Sequence, residues 1–369
     1  MTSPGGAVFP GGAVVIGTGV IGTSAALALR AKGVQVWLSD ADPASAKLAA
    51  DIGAGSVLPA EGLPSPADIA LIAVPPAATA PVLAAAQAAR AARWYSDVSS
   101  VKSVPVAQAR ALGCDMTTFV PGHPLSGRER SGPAAARADL FLGRPWVICP
   151  AAENSPPAIA AVTELVTACG AEPVRAEAAE HDRWVALVSH APHVVSAAMA
   201  ARLGDASAGA LAIAGQGLRD VTRIAAGDTG MWAQILAANA GPVAEVLAAA
   251  ADDLAEAARA LAASADAPAE DAKALLSLLD RGASGVARIP GKPGKAARDN
   301  AVVQVVIGDQ AGELARLFQA AGEAGVNIED VGIEHSPGLP VGVAELTVQP
   351  QAARALTEAL AANGWPVRR

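Results

Sequence analysis

Apolar residues between positions 13 and 176 come in short runs separated by alanine-rich stretches. The runs "AVVIG" (13–17), "VQVWLS" (34–39), "IALIAV" (69–74), "WYSDV" (94–98), "TTFV" (117–120) and "WVIC" (146–149) are rich in β-branched or aromatic residues and read as strands. Helical segments lie between most of them. That alternation predicts a largely parallel, doubly wound α/β sheet. From 178 to 282 the pattern is helical only. In "GPVAEVLAAAADDLAEAARALAAS", Val243, Leu247, Ala250, Leu254, Ala258 and Leu261 recur three or four apart, with Glu245, Asp252, Asp253, Glu256 and Arg259 mostly off that stripe. "GASGVARIPGKPGKAARDN" (282–300), rich in glycine, proline and lysine, reads as a linker. The remainder follows strand, helix, strand, strand, helix, strand order, for which about seventy residues suffice. The expected division is a flexible segment 1–12, a Rossmann-type domain 13–177, a helical domain 178–282, a linker 283–299 and a small βαββαβ domain 300–369.

Composition agrees with several folded units. The 369 residues exceed one ordinary core, and 52% hydrophobic against 17% charged residues exclude a disordered chain. A net charge of −8 without a long basic run argues against nucleic acid, so any anionic ligand must be held by locally clustered arginines. Cys114, Cys149 and Cys169 form neither a CxxC pair nor a metal-ligand spacing, which suits reduced thiols in the cytoplasm. The N-terminal "MTSPGGAVFPGG" lacks the basic region of a signal peptide, and the apolar helices are alanine-rich, so no membrane span is expected.

"VVIGTGVIGTSAALAL" sets Gly17, Gly19 and Gly22 as GxGxxG directly after a strand and at the opening of a helix. Gly17 suits the tight turn, Gly19 lets the backbone approach a pyrophosphate, and Gly22 lets helix and strand pack closely. Asp40 ends the second strand, where a carboxylate would bond a ribose 2′-hydroxyl and repel a 2′-phosphate. That favours NAD over NADP, although a turn or cap role ahead of Pro43 would also place an aspartate there.

The candidate chemistry follows strand ends: Gly17, Asp40, Pro75 and Pro76, Ser99 and Ser100, and His123. In "FVPGHPLSGRER", Pro124 disfavours helical geometry at His123, so its imidazole is expected on a stiff, extended backbone beside Arg128 and Arg130. "DVSSVK" offers Ser99 and Ser100, which could bond a nicotinamide or a substrate alcohol or simply cap the helix that Lys102 begins. His181, His190 and His193 lie in helical context. Without a third ligand at useful spacing, buried and hydrogen-bonded histidines are a better reading than a metal site. Arg219 and Arg223 stand four apart, one face if that stretch is helix.

Taken in order, "GTGVIGTS", "DVSSVK", "GHPLSGRERSG", "HDRWVALVSHAPH" and "DVTRIAAGDTGMW" resemble the prephenate dehydrogenase family, which includes arogenate dehydrogenases, over about residues 13–282. The resemblance implies NAD-dependent oxidation of the ring alcohol of prephenate, with loss of the ring carboxylate as CO2, to 4-hydroxyphenylpyruvate, the tyrosine precursor. It makes His123 the general base and sets Ser100 beside both the hydroxyl and the nicotinamide. Arg223 would bind the ring carboxylate, His193 would lie near the substrate, and Trp232, Asp182 and Glu129 would shape or gate the pocket. Arg128, Arg219 and Gln216 complete the expected substrate set. The cofactor set is Gly17, Thr18, Gly19, Val20, Ile21, Gly22, Asp40, Val74, Pro75 and Ser99, with no metal. The last domain resembles an amino-acid-sensing ACT domain through "DQAGELARLFQAAGEAGVNIEDV", with Ala311 where a proline is usual. There Asp309, Gly312, Asn327 and Ile328 are the expected effector residues, tyrosine the expected effector, and a homodimer the expected assembly.

Two rival readings are weaker. A 6-phosphogluconate-type or β-hydroxyacid dehydrogenase would use a lysine from the helical domain, and residues 178–272 contain none. A non-catalytic regulator that binds NAD and an amino acid would not need His123, Ser100 and Arg223 together.

Overall fold

The computed structural model describes residues 8–126, 132–264, 272–289, 300–335 and 341–368. The chain divides into two compact units, residues 1–253 and 254–369.

The first unit begins with β1 (Ala13–Ile16), α1 (Val20–Ala31), β2 (Val36–Ser39), α2 (Pro43–Asp51), β3 (Ser56–Val57), β4 (Ala67–Ile72), α3 (Pro76–Ala88) and β5 (Ala92–Asp97). Its five strands are all parallel in the order β3-β2-β1-β4-β5, so the direction of winding reverses between β1 and β4. Open sheets of this kind bind ligands at that reversal. Both faces are covered, which is why the strands read as nearly continuous apolar runs. Val15, Leu29, Leu38, Ile69 and Leu71 are buried with α1 on one side, and Val14, Ile72, Leu83, Tyr95 and Phe119 on the other. Helix α1 comes close to the sheet because its buried face is Gly22, Thr23, Ser24, Ala25, Ala26, Ala28 and Leu29, small residues apart from the last. Asp42 caps α2 by accepting from the Ala44 and Ser45 amides, with Pro43 in the first turn.

After α4 (Ser103–Ala111), a second sheet forms from β6 (Gly122–Pro124), β7 (Pro145–Ile148) and β8 (Glu172–Arg175), with α5 (Pro156–Ala168) between β7 and β8. Here the pattern reading needs correction. Residues 117–120 form a turn with a single bridge, Phe119 to Tyr95, and the next true strand is β6, antiparallel to β7 with His123 opposite Val147. His123 therefore sits in the middle of a short strand and not beyond the end of a longer one. Strands β3 and β8 went unread because β3 has only two residues and the alternation of "EPVR" is broken by a proline and lies mostly exposed.

Helices follow: α6 (Ala178–Val185), a π turn (Ala186–His190), α7 (Ala191–Ala201), α8 (Ala208–Ala212), α9 (Gln216–Thr222), a 3-10 turn (Arg223–Ala226), α10 (Thr229–Ala238) and α11 (Ala240–Ser264). By length and composition alone the rod Ala178–Ala201 could cross a membrane, but its buried positions include His181, Asp182, His190, His193 and Ser196. Helix α11 crosses the division between the units. The apolar stripe expected on it is split: Val243 is buried, whereas Leu254 and Leu261 are more than half exposed in the single chain.

In the second unit, α12 (Ala272–Ala287) runs five residues beyond the expected end of the helical region at 282. It also exposes Leu276, Leu279 and Val286. Then come β9 (Ala301–Gly308), α13 (Glu313–Glu323), β10 (Ile328–His335), β11 (Val341–Val348), α14 (Pro350–Ala362) and β12 (Val367–Arg368), the expected βαββαβ order. Their antiparallel sheet is ordered β10-β11-β9-β12. Strand β9 alternates strictly, burying Val303, Val305 and Ile307 with Leu317, Leu356, Leu360 and Trp365 while its other face stays open.

Candidate active site

The glycine loop lies where β1 meets α1. Gly17 has φ +99°, and a Cβ there would stand 2.2 Å from the Ala73 carbonyl oxygen; one on Gly22 would stand 2.0 Å from the Gly17 carbonyl oxygen. Gly19 is different, since nothing lies within 4 Å of its missing Cβ. The loop is thus closed against the protein at two glycines and open at the third, as a cradle for a pyrophosphate requires. Gly19 starts α1 without a side-chain cap, which leaves the helix N-terminus available to an anion. Asp40 faces the same loop. Its Oδ2 accepts from the Thr18 amide at 2.6 Å and the Thr18 hydroxyl at 2.8 Å, and its Oδ1 from the Asp42 amide at 2.9 Å. Val20, Ile21 and Val74 are partly exposed beside the loop and Pro75 is exposed. Ser99 is less available: it is buried, shares a 2.6 Å hydrogen bond with Thr79, and donates its amide to Asp97.

Beyond β5 lies a buried ion pair. Lys102 Nζ reaches Asp97 Oδ2 at 2.5 Å, with the two side chains 0% and 1% exposed, and also donates to the Gly122 carbonyl. Asp97 Oδ1 accepts from the Gly122 amide at 3.0 Å. The residue before His123 is thereby gripped at both of its backbone polar groups. Gly122 is also enclosed, for a Cβ would meet Trp146 Nε1 at 2.9 Å, the Asp97 carbonyl at 3.0 Å and Ser96 Oγ at 3.1 Å.

His123 is the end of a chain of three side chains. Its Nδ1 lies 2.9 Å from His181 Nε2, and His181 Nδ1 lies 2.9 Å from Asp182 Oδ1. Asp182 also accepts from the Lys102 and Ser103 amides, each at 2.8 Å. Burial raises the Asp182 carboxyl, but hydrogen bonds from His181, Ser103 and Lys102 outweigh it and hold the group below its ordinary value. Burial is also the main force lowering His181, partly opposed by its bond to Asp182. For His123, burial comes first, then the nearby His181, Lys102 and His190, and together they press the imidazole well below 6.5. These directions fix the tautomers. An ionised Asp182 can only accept, so His181 carries its proton on Nδ1; a neutral His181 then accepts at Nε2, so His123 donates from Nδ1. The free nitrogen of His123 is Nε2, an unprotonated base. Ser100 adds a buried hydroxyl with no partner.

A further cluster comes from the helices. His193 stacks on Trp232 with ring centroids 3.6 Å apart, and His190 meets the same indole edge-on at 6.1 Å. Gly227 allows this, because a Cβ there would lie 2.6 Å from Trp232 Nε1 and 3.2 Å from His193 Cε1. Burial lowers His190 to about 4. The buried Asn239 bonds His190 and the Asp182 carbonyl. Arg223 is exposed at the end of α9, on a 3-10 turn that packs against α7, the helix of His193. Arg219 is exposed on α9, and Gln216 donates to Asp220 at 2.8 Å. Asp182, expected as a pocket-shaping or gating residue, is buried behind His181 with both oxygens engaged. Arg128 and Glu129 lie outside the described residues. Among the described residues, no group of three or more His, Cys, Asp or Glu could hold a metal ion.

Residues 25–175 match the nucleotide-binding domain of prephenate dehydrogenase, and residues 177–280 match the dimerization domain of the same enzyme. The chain belongs to the prephenate dehydrogenase family. Relatives in the family include "Probable prephenate dehydrogenase NovF" of Streptomyces niveus, 42% identical over 96% of this chain and 98% of that protein. The cyclohexadienyl dehydrogenase of Zymomonas mobilis is 31% identical over 61% of this chain and 80% of its own length. The prephenate dehydrogenase of Aquifex aeolicus, solved with hydroxyphenyl propionate and NAD+, shares the fold at TM-score 0.64 and 22% identity, covering 74% of this chain and 97% of that one. The family match bears on the first unit and the helices; it does not extend to the βαββαβ domain.

Sequence reasoning missed four members of this site. Lys102 was read only as a helix start, His181 only as a buried histidine, and Asp97 and Asn239 not at all. "DVSSVK" did hold a signal, since an aspartate ending a strand with a lysine five residues later can close an ion pair across the strand end. Nothing comparable marks Asn239, whose partners are far away in the chain.

Proposed function

We propose that this enzyme oxidises prephenate with NAD, releasing the ring carboxylate as CO2 and forming 4-hydroxyphenylpyruvate. The observation that carries the reading is the Asp182–His181–His123 chain, which leaves an unprotonated nitrogen on His123. The glycine cradle, open at Gly19 and closed at Gly17 and Gly22, fits a dinucleotide, and Asp40 at the end of β2 favours one without a 2′-phosphate. Bound NAD supplies the hydride acceptor. His123 Nε2 takes the proton of the ring hydroxyl, which raises electron density at the carbinol carbon and promotes loss of hydride. Ser100 offers its unpartnered hydroxyl to the same alcohol or to the nicotinamide amide. Arg223 binds the ring carboxylate until it leaves, with His193 and Trp232 forming a wall of the pocket.

Prephenate is preferred over arogenate because an ammonium on the side chain calls for a free carboxylate. Among the described candidates, Asp182 is committed to His181 and two backbone amides, and Gln216 is neutral. Side-by-side kinetics test this: NADH forms with prephenate and not with a His123→Asn control, and a kcat/KM favouring arogenate by more than about tenfold, about 1.4 kcal/mol, reverses the substrate assignment.

The βαββαβ domain is proposed to be an ACT domain that senses tyrosine. Gly312 there has φ +90° at the start of α13, close to Asp309, and Asn327 and Ile328 lead into β10, with Asn327 bonded to Glu329. Deleting residues 300–369 then abolishes tyrosine inhibition, and unchanged inhibition would place the amino acid elsewhere. A homodimer through the helices is supported by the exposed Leu254, Leu261, Leu276, Leu279 and Val286, and light scattering showing only monomer counts against it. The three free cysteines, Cys149 and Cys169 both raised to about 12 by burial, suit the cytoplasm.

A further inference from the structure

We propose that Asn239 is a positioning residue of the active site, whose single amide group fixes His190 as a neutral ring able to donate only from Nε2. The bearing of that ring on turnover rests on the functional reading above; the state of the ring does not.

Asn239 is 3% exposed and sits at the break between α10 and α11, which bend by 98° there. Its Nδ2 lies 2.8 Å from the Asp182 carbonyl oxygen and 3.1 Å from His190 Nδ1. A carbonyl can only accept, so the nitrogen of the side-chain amide, and not its oxygen, must face Asp182. The second hydrogen on that nitrogen then points to His190 Nδ1, which must be an unprotonated acceptor. The His190 proton is consequently on Nε2.

The π turn makes this double contact possible. In a regular helix Asp182 and His190, eight positions apart, would be rotated by about 80° from each other. The residue inserted by the turn at Ala186–His190 reduces that to about 20°, on one face within reach of one amide. The titratable groups around His190 are His123, His181, Asp182 and His193, and the Trp232 ring covers an edge. A positive charge on His190 would place an N–H against the N–H of Asn239. The same amide thus excludes the imidazolium and orders the helix that carries His181 and His193.

Nitrogen-15 spectra of selectively labelled histidine in the full-length protein test the assignment without any turnover. The expected result is His190 as the Nε2–H tautomer, neutral down to about pH 5. In Asn239→Asp the new carboxylate accepts where the amide donated; His190 then takes its proton on Nδ1, its titration midpoint rises by about one unit or more, and a new acidic limb enters the kcat/KM profile. Asn239→Ala should lower kcat with a smaller change in KM and in Tm. An Nδ1–H tautomer in the wild type overturns the proposal even if both variants fail to fold. So does a folded Asn239→Asp protein whose His190 titration is unchanged. Absence of prephenate turnover alongside the expected spectra would instead count against the functional reading alone.

Discussion

His181 gives His123 its direction: with Nδ1 of His181 held by Asp182, the 2.9 Å contact between the two rings leaves His123 no proton on the side away from His181. The proposed base is thus set in one tautomer by the fold itself. Replacing His181 by phenylalanine keeps much of the ring volume and removes the acceptor, so kcat should fall by about 10²–10³ while the KM for NAD stays close to wild type. An equal loss in both parameters would point to a collapsed site in place of a misdirected imidazole.

The acid side of the activity profile should be displaced. As the proposed general base His123 must be unprotonated, and its environment holds it well below 6.5. Activity should therefore persist as pH falls through 6.5 and disappear only at lower pH. A kcat/KM profile with an acidic midpoint above 6.5 contradicts the packing described around this ring.

Stability should follow a related course. His190 falls from 6.5 to about 4 in the folded chain, so below 6.5 the unfolded chain binds a proton that the folded one refuses. Its contribution is fully present above 6.5 and is lost as pH falls from 6.5 toward 4, by about 3 kcal/mol. Denaturant titrations at several pH values check this, and the His190→Gln variant should show a shallower decline.

The buried ion pair between Lys102 and Asp97 should behave asymmetrically. Lys102→Met leaves Asp97 as an unpaired buried charge and should cost about 3–5 kcal/mol in a denaturant melt, with part of the loss recovered in Lys102→Met with Asp97→Asn. If the single substitution costs less than about 1 kcal/mol, the pair does not hold Gly122 in the manner described.

Asp40 should influence cofactor choice through the loop as well as through the ribose. Asp40→Ala frees the Thr18 amide and hydroxyl, so the KM for NAD should rise about tenfold and the discrimination against NADP should narrow. Steady-state kinetics with both dinucleotides decide it.

Much of this was readable from the chain because it rests on local rules. The glycine loop, the parallel strands and the βαββαβ order follow from periodicity and from residues adjacent in sequence, as at Gly17 and at Val303, Val305 and Ile307. The histidine before Pro124 was also legible. What stayed hidden depends on distant pairings: His123 with His181, fifty-eight positions away, and Asn239 with Asp182, fifty-seven away. The π turn was equally invisible, since "ALVSH" has the composition of an ordinary helix. A pocket-shaping or gating role for Asp182 is what the family resemblance implies, and nothing in the local sequence shows which way its carboxylate faces. Only the approach of the α4 amides turned it inward.

Gly122 carries a consequence for how this chain can vary. Because its α-carbon is walled in by the Trp146 indole, the Asp97 carbonyl and the Ser96 hydroxyl, even a methyl group at this position would require the strand or these neighbours to give way. Variation at position 122 is therefore coupled to the packing of Trp146 and Ser96, and through the short strand to the seat of the imidazole at position 123.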